Sequence, residues 1–183
     1  VLERVNPNPA RFDVKKCTAI NGDWIRHLAI DDLVERLVPY LQRDGVIGST
    51  PSAEDMNLVR AVVPLISERL ETLGQASAMV GFLFTDDIAI DAGDAEKIMG
   101  DQADDVLREA EAALAGLDEW TTEAIERALR VTLIEERGLK PKVAFGPVRL
   151  AITGRRVSPP LFESMELLGA DRSLSRIRSL HAS

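Results

Sequence analysis

Apolar residues recur along nearly the whole of this chain at the spacing of a helix. Leu33, Leu37 and Leu41 stand four apart with Val34 and Val38 beside them, and Met56, Val59, Val62, Val63, Ile66, Leu70 and Leu73 continue the rhythm. A stripe of that period lies on one side of an α-helix and is buried only against another helix. The strict alternation of a half-buried strand is confined to a brief piece around Ile88 and Ile90. The fold class is therefore all-α.

Capping and breaking residues divide the pattern. Asp13 starts a short helix through Ile20, with Asn21-Gly22 as a left-handed stop, and Asp31 starts the next, closed by Gly45. Ser52 to Asp55 resembles a capping box, and Pro64 predicts a kink or break in the helix that follows. Gln75 to Phe84 reads as a short apolar helix or buried turn, and Thr85 to Gly93 as an acidic loop. A helix from Asp94, broken near Gly100, runs to Leu117, and Thr121 or Thr122 caps another to Arg137, with Gly138 past its end. Pro147 opens a short helix closed by Gly154, Ser158-Pro159-Pro160 opens one from Leu161 to Leu168, and Asp171 opens the last. Short helices joined by Gly and Pro turns predict a compact helical cage of two small helical subdomains, 1–90 and 91–183, meeting at the acidic loop.

With 183 residues, 45% of them hydrophobic, the chain can bury a core. No apolar run is long enough to span a bilayer, and 1–10 carries two charges and two prolines where a signal peptide needs an apolar stretch. The expected compartment is the cytosol. A single cysteine, Cys17, excludes an internal disulfide and a multi-cysteine zinc site. It reads either as a thiol activated by Lys15 and Lys16 or as a small, half-buried apolar residue.

Motifs for catalysis are missing. There are two histidines, His27 and His181, and no phosphate loop, Gly-x-Ser-x-Gly or His-x-x-x-His. Asp86, Asp87, Asp91 and Asp94 lack the ligand spacing of a calcium loop and read as a solvated acidic segment. No catalytic residue and no metal ligand is assigned.

Charge is segregated instead. Positions 71–137 are net −12, whereas 138–183 hold eight Lys and Arg against three acids, a net of +5 in a chain of −8. That asymmetry predicts one face toward an anionic partner. Arg149 falls just after Gly146-Pro147, read as a helix start that would offer free N–H groups, and Arg155 and Arg156 follow the Gly154 stop on a loop. Ser158, Pro159, Pro160, Leu161 and Phe162 add a rigid, partly apolar rim. Mixtures of cations and apolar surface recognise single-stranded RNA, whose bases splay out and pack on such rims. The other reading is that Pro159, Pro160 and Phe162 start a helix and fill its core.

Pro147-Val-Arg-Leu-Ala-Ile-Thr-Gly154, Ser158-Pro-Pro-Leu-Phe162 and Leu168-Gly169 resemble the C-terminal signature of bacterial glutamyl-tRNA synthetases. Arg11-Phe-Asp-Val-Lys-Lys16 with Asn21-Gly22 and Ile25-Arg26 resembles the segment just after that family's catalytic domain. Phe82-Leu-Phe84 and Glu119-Trp120-Thr121 fall between them in the family's order, so the resemblance covers essentially the whole chain. It implies a class I synthetase anticodon-binding domain, with the end of the stem-contact region in 1–90. The catalytic domain's His-Ile-Gly-His-like and Lys-Met-Ser-Lys-Ser-like motifs are not in this sequence. The part in hand then needs no cofactor and is inactive alone, while the whole enzyme uses ATP to join glutamate to tRNA. The implied partner is tRNA, of the glutamate isoacceptors or of glutamate and glutamine both, bound by a monomer and not by a membrane protein.

The resemblance also implies site residues. Arg69, in Glu68-Arg-Leu-Glu-Thr-Leu73, stands where the family's arginine reads the third anticodon base, Arg149 matches the arginine of the Pro-x-Arg signature, and Ser158, Pro159 and Leu161 match contacts ahead of Leu-Phe. Arg155 and Arg156 are expected on phosphates. The family's frequent Gln is Gly146 here, and Cys17 and Trp24 replace the usual Leu and Tyr. From a different class, an all-helical protein-interaction module whose basic tail docks an acidic partner fits the same charge pattern. A metal-dependent hydrolase has only the scattered aspartates behind it.

Overall fold

The computed structural model describes residues 13–181. Its helices are α1 (Val14–Arg26), α2 (Ile30–Arg43), α3 (Ala53–Ile66), α4 (Ala76–Val80), α5 (Ala92–Ile98), α6 (Ala103–Ala115), α7 (Thr122–Leu129), α8 (Pro141–Thr153), α9 (Leu161–Leu168) and α10 (Ala170–His181). A π-helical segment, Arg130–Glu136, continues α7, and 3₁₀ turns at Ser67–Arg69, Leu73–Gln75 and Gly81–Leu83 flank α4. No strand occurs among the described residues, and none of the helices is long and apolar enough to cross a membrane. The all-α expectation is met.

Most helix starts are the ones the sequence marks. The Asp13 carboxylate accepts from the Lys16 N–H at 3.1 Å, Ser52 and Asp55 cap each other reciprocally at 3.0 Å, and Thr121 Oγ1 accepts from the Ala124 N–H at 3.3 Å. The break at Gly100 separates α5 from α6.

Several expectations are corrected. Helix α1 does not stop at Asn21-Gly22 but runs on to Arg26, because Gly22 is buried where a Cβ would lie 3.3 Å from Glu71 Cα and 3.4 Å from Leu70 O. Here glycine serves close approach, not a turn. Helix α2 starts at Ile30 without a side-chain cap, leaving Asp31 and Asp32 in its first turn, where the helix dipole favours acids. Pro64 stays inside α3, which ends at Ile66. Pro147 likewise lies inside α8, whose true start is Lys140-Pro141, with proline at the position where a missing N–H costs nothing. Cys17 is exposed, not half-buried.

One core runs through the molecule. It includes Ile25 of α1, Leu33, Leu37 and Leu41 of α2, Val59, Val63 and Ile66 of α3, Leu107 and Leu114 of α6, and Ile177 of α10. Each such side chain contributes roughly 1.5–3 kcal/mol on burial. Helix α3 packs on α9, and α10 lies across α6 and α8, so helices before and after the acidic loop share this interior.

The arginines of α10 are tied to the domain, and Arg176 is buried in it. Arg176, 7% exposed, donates from Nη1 to Ile152 O at 2.7 Å and from Nη2 to Phe82 O at 2.8 Å and to Thr85 O, tying the end of α8 to the Gly81–Leu83 turn. Burial pulls its pKa down to about 10, with the Arg172 charge adding and Asp86 and Asp87 opposing. Arg172 donates to Leu83 O. Arg178 pairs with Glu111 of α6 at 2.6 Å, and His181 meets the same carboxylate at 2.8 Å. The predicted basic face of the tail is narrowed accordingly: α10 spends its positive charge on internal carbonyls and on Glu111, while Lys140, Lys142, Arg155 and Arg156 stay exposed.

Candidate nucleic-acid interface

The segment after α8 is fixed at its first residue. Gly154 takes φ +74°, its N–H donates to Leu150 O at 2.8 Å, and its own carbonyl accepts from the Asp91 N–H at 2.9 Å. A Cβ there would sit 2.4 Å from Ala89 O, so both conformation and space require glycine. Thr153 Oγ1 donates to Arg149 O at 2.9 Å and lies 3.0 Å from Arg155 O, bridging the last helical turn to the loop.

Arg149 is partly buried in the middle of α8, and its side chain clasps this loop. Nη1 donates to Ser158 Oγ at 2.6 Å and to Pro159 O at 3.0 Å. Gly146-Pro147 therefore exposes no helix N-terminus, and the helix-dipole argument for an anion at Arg149 is withdrawn. Pro159 is buried, Leu161 is 3% exposed in the core, and Phe162 meets Phe145 edge to face with centroids 5.4 Å apart. These apolar residues hold the rim in place from beneath.

Arg69 and Arg155, 86 positions apart, come to one groove of about 440 Å³, which Gln75, Met79, Val157 and the acids Glu71, Asp91 and Asp94 also line. Arg69 is exposed and donates to Leu65 O at 2.9 Å. The exposed Arg155 side chain has no hydrogen bond or ion pair among the described residues. Arg149 is close enough to Arg69 that burial and then Arg69's charge lower its pKa, with Glu163 opposing. Arg155, which has no partner of its own among the described residues, is the cation left to a ligand bearing negative charge or carbonyl oxygen. Arg156 is more committed: its backbone N–H donates to Asp94 Oδ2 at 2.8 Å and its Nε lies 3.6 Å from Oδ1.

A second, larger cleft of about 830 Å³ lies between α5, the start of α6 and α8, and shares Arg149 and Arg156 with this region. Lys97, Lys142, Val143 and Phe145 line it, and Arg130 lies over the Phe145 ring at 5.7 Å. Sequence reasoning missed these residues and the groove's Gln75, Met79 and Val157. Lys140 and Lys142 were visible as charges, but the apolar members carry no signal that separates them from core.

The acids of the Asp86 to Asp94 region are distributed over structural tasks. Asp91 caps α5 by accepting from the Asp94 N–H at 2.8 Å, Asp94 holds Arg156, and Asp86 faces Arg172. Among the described residues no three His, Cys, Asp or Glu gather as a metal site. What the surface offers is polar recognition: planar guanidinium donors above an apolar floor.

A family model described as anticodon binding domain matches residues 32–180. The chain belongs to that family. It is 54% identical over 179 residues to a glutamate–tRNA ligase of Saccharopolyspora erythraea and 51% identical over 177 residues to one of a Nocardioides species. Those alignments cover 97% and 96% of this chain but 36% of each relative, so the chain spans about a third of their length. A solved glutamate tRNA ligase from Elizabethkingia meningosepticum superposes with a TM-score of 0.76 over 94% of this chain and 33% of its own, at 20% identity, and so shares the fold. Within an anticodon binding domain, the Arg69–Arg155 groove and the Arg149 clasp fall inside the matched residues. Arg11 and Phe12 of the N-terminal motif lie outside the described residues.

Proposed function

We propose that this chain reads the anticodon of glutamate tRNA as the C-terminal part of a glutamate–tRNA ligase. The observation that carries the reading is the approach of Arg69 and Arg155 to one groove beside the Arg149 clasp, with none of the three in an ion pair among the described residues. In this reading Arg69 and Arg155 donate to base edges or phosphates, while Arg149 holds Ser158 and Pro159 through its hydrogen bonds. Arg156, Ser158 and the rim over Leu161 complete the contact surface. Adenylate chemistry, and ATP with it, belongs to the catalytic module of the parent ligase, which acts as a monomer in the cytosol. Glutamate tRNA is the partner, and whether glutamine tRNA is accepted depends on the same rim.

The test compares the intact parent ligase on glutamate tRNA and on an anticodon-swapped transcript across a salt series. The expected result is a preference for the native anticodon together with log affinity falling linearly with log salt. Equal affinity for both transcripts would overturn anticodon reading by this surface.

A further inference from the structure

Three acids line the groove that Arg69 and Arg155 share, and two of them are already engaged. Asp91 caps α5 by accepting from the Asp94 N–H at 2.8 Å, and Asp94 holds the Arg156 N–H at 2.8 Å. The third, Glu71, is exposed, and its carboxylate has no hydrogen bond or ion pair among the described residues. Opposite charges that share a groove without closing on each other leave both sets of hydrogen-bonding atoms to a ligand.

The backbone of Glu71 is fixed although its carboxylate is free. Its N–H donates to Gln75 Oε1 at 2.9 Å, its carbonyl accepts from Asn21 Nδ2, and a Cβ on Gly22 of α1 would lie 3.3 Å from Glu71 Cα. Leu70, beside it, is fully buried. Asn21 and Gly22, which do not end α1, thus clamp this residue at the wall of the groove. A carboxylate carried on a held backbone loses less freedom on meeting a ligand than one on a loose loop.

The chemistry of the groove is mixed. The arginine side chains only donate, the Glu71 carboxylate only accepts, and Ala78, Met79 and Val157 supply an apolar wall. A phosphate offers acceptors alone, which Glu71 repels. A base that carries an amino group next to a ring acceptor offers both edges, and a carboxylate is the acceptor that reads a cytosine amine. Uracil has a carbonyl oxygen where cytosine has that amine, so it would set oxygen against oxygen at Glu71.

We propose that Glu71 is a specificity-determining residue of this surface: it accepts a hydrogen bond from the exocyclic amine of an anticodon cytosine and rejects uracil in its place. The proposal rests on the anticodon reading given above and adds to it a residue without positive charge.

The full-length parent ligase, native and as Glu71→Gln, is titrated with glutamate tRNA transcripts in which each anticodon cytosine is replaced in turn by uracil. Glutamine keeps the size of the side chain, and its amide can donate to the uracil carbonyl. The native protein should prefer cytosine at one anticodon position, and the variant should reduce that preference about five- to tenfold, mainly by binding the uracil transcript better. Glu71→Ala should also reduce it, which guards against a new contact made by the glutamine. Because the side chain is exposed, neither variant should move Tm by more than about 2 °C. An equal rise in affinity for every transcript would make Glu71 a general repelling charge, and an unchanged cytosine preference would make it a bystander. Either result overturns the proposal and leaves the anticodon reading standing, as would a native ligase that reads the anticodon without distinguishing cytosine from uracil. A native ligase indifferent to the whole anticodon would strike the reading itself.

Discussion

Arg149 and Ser158 are joined by a 2.6 Å hydrogen bond, and the same guanidinium nitrogen holds the Pro159 carbonyl at 3.0 Å. Helix α8 thereby shapes the loop that follows it through a side chain nine residues back. A residue that resembles a base reader is in this state a brace for the rim.

Replacing Arg149 with Ala removes both bonds at once. The isolated domain is expected to lose about 1–3 kcal/mol of stability, the range for hydrogen bonds to charged groups, measured by denaturant titration. In the parent ligase the same change should weaken discrimination between the native and swapped anticodons. Loss of stability with equal loss of affinity for both tRNAs would leave Arg149 as a brace alone.

Arg69 and Arg155 should separate by what they read. Arg69→Ala is expected to cost about 1–3 kcal/mol and to relax preference at one anticodon position, as when a base-edge contact is lost. Arg155→Ala should weaken all tRNAs alike and lower the slope of log affinity on log salt by about 1. Arg156→Ala should change that slope less, because Asp94 already faces its guanidinium.

Gly154→Ala is expected to destabilise the domain by about 2–4 kcal/mol, combining a left-handed φ with a Cβ driven into Ala89 O. Gly138 gives the control. Its φ is +72°, but a Cβ there meets nothing within 4 Å, so Gly138→Ala should cost only about 1 kcal/mol. Equal Tm losses for the two variants would contradict the crowding at Ala89.

Acid should release the end of α10. Hydrogen bonds from His181 and then Arg178 hold the Glu111 carboxylate below its usual 4.5, against a small opposing effect of burial. A lowered carboxylate pKa gives stability that is fully present above the unfolded value and is lost as pH falls through the folded one. The Tm difference between the native chain and Glu111→Gln should therefore close as pH drops below 4.5. A difference that persists at lower pH would show that packing, not charge, is what Glu111 supplies.

How much of this was legible in the sequence depends on the kind of signal. Helix class and most starts were readable because caps are local: Asp13, Ser52-Asp55 and Thr121 do in three dimensions what their spacing says. Gly22 and Pro147 misled, since glycine can answer a neighbouring backbone as well as a turn, and a proline inside a packed helix is tolerated when its neighbours supply the burial. The tail's charge misled for a related reason. Arg172 and Arg176 look like surface cations in sequence, but their partners are carbonyls at Leu83, Phe82 and Ile152, which carry no residue signature. Arg69 and Arg155 meet across 86 positions, a pairing that periodicity has no means to express.

The wide turn at Arg130–Glu136 absorbs a residue without turning the chain. A π turn takes up one residue more than an α turn, and one residue of an ideal helix is worth about 100° of rotation. At its first residue Arg130 is aimed at Phe145; just after its last, Arg137 meets Glu109 of α6 at 2.6 Å. Deleting a single residue from that segment would therefore rewind it into plain α-helix and leave the direction of the Gly138 turn nearly unchanged, whereas the same deletion in α7 would swing it by about that angle. Only in that second case would the take-off of α8 swing too, carrying Lys142 out of the cleft it lines and the brace at Arg149 out of register with its loop.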